Sequence, residues 1–196
     1  MRRKPIAGIK PTPFITAYNK ILARGLCSGV GTRGKQVCIE AAICEAAGLP
    51  HGDDPQCVAA SVRSFKIALN DSRWSSASAR AAGLRDLGIA QLGSKGVVSD
   101  VEFSKRLAEK TTRILIPKLF RELFPTDKKL LAVALRCEQE GSYAAADAAA
   151  AAAADTARYA AAAAAAAAAD PYLNLSASLA LETLRELKSP GVEWLD

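Results

Sequence analysis

Aromatic side chains are scarce: Phe, Trp and Tyr make up 6% of the 196 residues, and there is a single histidine. The core must therefore rest on Leu, Ile, Val and Phe before residue 141 and after residue 172. The five cysteines are an odd number, which excludes a complete disulfide framework and fits reduced thiols. No run reads as a membrane span, because Asp147, Asp155, Arg158 and Asp170 interrupt the one long apolar stretch. Basic Met1-Arg2-Arg3-Lys4 is followed by Pro5, Lys10, Pro11 and Pro13, not by a signal-peptide core. A cytoplasmic location is expected. Strands are missing as well, since Gly96-Val97-Val98 is too short to make one.

What the chain has in excess is alanine. Of the 26 residues in 144–169, 21 are alanine, the best helix former, so a long helix is expected there. Small methyl groups allow close approach of a second helix. The tract is read as an arm that mediates self-association, giving a homo-oligomer through 144–169, or that packs back on its own body. Tyr143, Asp147, Asp155 and Tyr159 recur every four residues or multiples of four and gather on one side, and Asp155 can pair with Arg158.

The remaining chain reads as helices divided by Gly, Pro and capping residues. Phe14, Tyr18, Ile21 and Leu22 form one stripe; Val37, Ala41, Cys44 and Ala47 form the next. Asp54 and Pro55 predict an N-cap and first turn ahead of Val58, Val62, Phe65 and Leu69. Ser75 or Ser76 and Ser99 with Glu102 predict two further starts, Pro117 a kink, and Gly141-Ser142 a stop followed by a new cap. Asp170-Pro171 begins the last helix, and Pro190–Asp196 is a short tail. The expected fold is all-α: a multi-helix, bundle-like basic body (1–141), an alanine-rich helical arm (142–170), and a C-terminal helix with its tail (171–196).

Charge is uneven. The net +6 divides into 3 basic and 7 acidic residues (−4) in 142–196, and 23 basic and 13 acidic (+10) in 1–141. The basic part invites a nucleic acid or another polyanion, through Arg2, Arg3, Lys4, Arg63, Lys66, Arg73, Arg80 and Arg85. Zinc-finger, basic-zipper and aromatic ribonucleoprotein patterns are all missing.

Cys27, Cys38, Cys44, His51 and Cys57 lie within 31 residues and are chemically able to ligate zinc. Their spacing argues against it, because no two cysteines are closer than six residues. A thiol enzyme would take Cys27 as nucleophile, His51 as base and Asp53 to orient it. No flanking signature supports that choice, and the glycines from Gly25 to Gly34 match neither phosphate-loop fingerprint. The expectation is a non-enzymatic structural or interaction protein with no cofactor.

Leu26-Cys27-Ser28-Gly29, Cys38-Ile39-Glu40-Ala41-Ala42, Leu49-Pro50-His51-Gly52-Asp53-Asp54-Pro55 and Leu69-Asn70-Asp71-Ser72 carry a resemblance. The stretch is similar to a group of uncharacterised phage and metagenomic proteins that pair it with alanine tracts of varying length. The resemblance implies a phage-associated origin, and it supplies no catalytic residues.

Overall fold

The computed structural model describes residues 4–154, 165 and 169–195. Arg2, Arg3 and most of the second half of the alanine tract, including Asp155, Thr156, Arg158 and Tyr159, lie outside the described residues. The fold is all-α. Among the described residues the only β pairing is isolated bridges such as Leu26 with Val37.

Local chemistry sets the helix starts. Helix α1 (Pro11–Leu22) has proline in its first turn, where an N–H has no intrahelical partner anyway. Helix α2 (Ile39–Ala46) is capped by a thiol, with Cys38 Sγ accepting from Ala41 N. Helix α3 (Ala60–Asp71) corrects one expectation: Asp54-Pro55 forms a turn closed by Val58 N on Pro55 O, and the helix begins five residues later. Ser76 caps α4 (Ala77–Ala90) and Ser99 caps α5 (Asp100–Lys110), both as their hydroxyl spacing predicts.

Pro117 leaves its mark between α5 and α6 (Ile116–Leu123). Proline has no N–H to give the preceding turn, and residues Thr111–Leu115 widen into a π-helical turn. Arg113 from that turn reaches the end of α7 (Lys128–Glu140), donating to the carbonyls of Glu138, Gln139 and Glu140. Gly141 ends α7 at φ 60°, and a Cβ there would run into the Arg113 side chain. Ser142 then accepts from Ala145 N to start α8 (Tyr143–Ala154). Asp170 opens α9 (Asp170–Glu186) without capping it; its carboxylate accepts from Ser75 N and the Ser75 hydroxyl, tying α9 to the start of α4.

Packing divides the chain differently from the expected boundary at residue 141. One core gathers α1 to α5, the inner face of α9 and Trp194. A second gathers α6, α7, α8 and Tyr172. The C-terminal helix is therefore a central element of the main core, and residues 116–141 share a core with the alanine helix. Lys110 holds α9 from outside through Glu182 and Glu186.

The described part of the alanine tract lies on the body. Ala145, Ala149 and Ala152 follow helical spacing and are buried, while Ala144, Asp147, Ala150 and Ala151 face solvent. Burying three methyl groups contributes only about 2 kcal/mol, so α8 is held lightly compared with the Leu- and Phe-rich helices.

Candidate functional site

Residues 25–37 fold into a glycine-rich strap lying across the start of α2 and the end of α3. Cys27 N donates to Val37 O, Cys38 N to Val30 O, and Thr32 N to Gln36 O. Gly31 makes this possible: its φ is +72°, and a Cβ would press within 2.7 Å of Cys27 Sγ and Val37 Cα. Asn70, almost fully buried, pins the strap and α2 together. Its Oδ1 accepts from Ile39 N at 3.2 Å, and its Nδ2 donates to Cys27 O at 3.0 Å. Asp71 Oδ1 accepts from Gly29 N at 2.9 Å, and His51 Nε2 lies 3.2 Å from Gly31 O.

The sequence candidates are placed near one another but are spent on local contacts. Cys27 Sγ donates to Gly29 O; His51 meets the strap backbone; Asp53 pairs with Arg63 at 2.9 Å. No hydrogen bond links these three residues as a catalytic relay would require. Cys38 serves as a helix cap, Cys44 is buried, and Cys57 gives its carbonyl to Lys95 N. Burial pushes the Cys38 thiol up and raises Cys44 to about 11, which holds both as thiols rather than thiolates. Among the described residues, no group of three or more His, Cys, Asp or Glu side chains is arranged to hold a metal ion.

Beneath the strap lies a charged cluster whose members stand on separate helices and meet only in the fold. Glu40 and Lys66 are both 0% exposed and stand 3.1 Å apart, and Gln91 Nε2 donates to Glu40 Oε2 at 2.8 Å. Burial pushes Glu40 up and Lys66 down; each keeps the other's charge tolerable. Helical spacing carried the signal. Lys66 falls between Val62 and Leu69 on the α3 stripe, and Glu40 between Val37 and Cys44 on that of α2. Next to Glu40 is a cavity of about 60 Å³, lined among others by Gly29, Val30, Cys38, Asn70 and Asp71.

No protein-family model, curated protein or solved structure matches the chain.

The basic residues chosen for nucleic-acid contact are distributed unhelpfully for that role. Lys66 is corrected outright: it is completely buried on Glu40 and has no surface to offer. Arg63 is committed to Asp53 and Asp54, and Arg80 to the carbonyls of Leu26 and Ser72. Arg85 binds Asn19 and Asp86. Arg73 and Lys4 are exposed, Lys4 giving its carbonyl to Trp194 Nε1. Among the described residues no helix is long and apolar enough to cross a membrane.

Proposed function

We propose that the chain is a non-enzymatic structural or interaction protein whose alanine-rich segment acts as an intramolecular packing element. The observation that carries this reading is the docking of α8 on α7 through Ala145, Ala149 and Ala152. The local commitments of Cys27, His51 and Asp53 support the non-catalytic part. A nucleic-acid role through the basic body is the rival, and it would have to work with Arg63, Arg80 and Arg85 already held by local partners. A phage-associated setting, implied by the resemblance, and a cytoplasmic location belong to the same proposal; the free thiols support the latter.

The docking itself can be tested at Cys137, a buried thiol on α7 that donates to Ala145 O at 3.4 Å. Ala149→Asp places a carboxylate in that interface and is expected to speed Cys137 labelling by at least about tenfold, since burying a charge costs more than 1.4 kcal/mol. Ala150→Asp, on the solvent face, should leave the rate unchanged. Equal labelling in both variants would show that α8 does not cover α7 in solution.

A further inference from the structure

We propose that residues 28–36, the tip of the strap, form a lid that lifts off the cavity beside Glu40 while the rest of the main core stays folded. Both ends of the tip are fixed. Leu26 and Val37 are 0% exposed, Leu26 N donates to Ala77 O, and Asn70 holds Cys27 O. Between these ends the anchorage is slight. Val30 is the one hydrophobic residue of the tip, and it is only half-buried against the core; Gly31 to Gln36 are all exposed. Buried apolar contact is what makes local opening expensive, and the tip has little of it.

Polar tethers hold the lid shut. Gly29 N donates to Asp71 Oδ1 at 2.9 Å, Arg33 Nη2 to Leu49 O at 2.5 Å and Gly34 N to Glu45 Oε2 at 3.5 Å, and His51 Nε2 meets Gly31 O. All four lie at the surface, where water can replace either partner, so breaking them costs little. One bond ties the lid to buried structure: Cys38 N donates to Val30 O at 3.2 Å. Gly29 and Val30 form the lid side of the cavity, with Cys38, Glu40 and Asn70 among its other walls. A water needs roughly 10–15 Å³, so about 60 Å³ admits several. Lifting the lid releases the buried Cys38 N–H and lets water reach the residues around Glu40, with α2 and α3 intact. The lid lies on the main core, away from α8, and stands or falls apart from the role proposed for the alanine-rich segment.

The test is amide hydrogen exchange of the full chain, read residue by residue by NMR over a series of low denaturant concentrations. When the lid lifts, Gly29 N and Cys38 N lose their acceptors, whereas Ala42 N keeps Cys38 O. Corrected for intrinsic rates, Cys38 is expected to exchange at least about tenfold faster than Ala42, at a rate that low denaturant leaves unchanged. Asp71→Ala removes the Gly29 tether and should speed Cys38 about fivefold while leaving Ala42 as it is. Asp71→Asn, whose amide oxygen can still accept, should stay near wild type. Val30→Ala thins the lid's apolar contact without touching Asp71 and should give the same selective increase. Cys38 exchanging only at the rate and denaturant dependence of Ala42 would overturn the proposal, as would variants that speed both amides alike.

Discussion

Replacing Lys66 by Met is expected to cost about 3–5 kcal/mol at neutral pH, because it strands the Glu40 carboxylate in the core. The double variant E40Q/K66M should lose far less, since an uncharged pair needs no compensation and Gln91 can still bond the new amide. The pH dependence separates the two. Burial raises the folded-state value of Glu40 above its ordinary 4.5, so the native state holds that proton more tightly. The associated stability is fully present below 4.5 and is lost as pH rises through the raised value. Without Lys66 the rise is larger, so K66M should recover much of its deficit in mildly acid buffer. Urea unfolding at acid and neutral pH measures both effects; a deficit in K66M that ignores pH would contradict this account.

Trp194→Ala is expected to be comparably severe, about 3–5 kcal/mol. Trp194 is 2% exposed, its ring centroid lies 5.7 Å from that of Phe14, and its Nε1 donates to Lys4 O at 3.0 Å. The tail is held from several sides: Ser189 Oγ donates to Ala90 O, and Gly191 N to Leu92 O. Trp194→Phe keeps most of the apolar volume and should lose about 1–2 kcal/mol, the hydrogen bond and part of the packing. Denaturant midpoints of the three chains would show the order; a wild-type midpoint for Trp194→Ala would mean that the tail does not close the core.

Helix type and most helix starts were legible because they depend on neighbours in sequence. Ser76, Ser99 and Ser142 each accept the backbone N–H three residues on, a contact that residue spacing alone announces. Tertiary demand was not legible. Asp54-Pro55 satisfies every local rule for a helix start, yet Ala59 N goes to the buried Ser94 hydroxyl, and α3 begins only at Ala60. Asp170 likewise looks like a cap but is drawn to Ser75, 95 residues away.

The candidate site was half legible for a related reason. Cys27, Cys38, His51 and Asp53 lie in or beside the strap, whereas the buried ion pair beneath it is formed by Glu40 and Lys66, and Asn70 and Asp71 supply hydrogen bonds that pin the strap. Charged residues on an apolar stripe are usually solvated at its edge. Lys66 and Glu40 become visible as a pair only when α2 and α3 are set against each other. The split between the two cores was hidden too, because Tyr172 and Leu173 are adjacent in sequence yet belong to different clusters.

The most direct test of the central claim is the solution mass by light scattering over a wide concentration series. Native protein would be compared with a chain whose residues 144–169 are replaced by a Gly/Ser linker of equal length. Intramolecular packing predicts a monomer near 20.5 kDa for the native chain at every concentration, and a monomer for the replacement as well. A native oligomer that dissociates to monomer in the replacement would contradict it and assign the alanine tract to self-association.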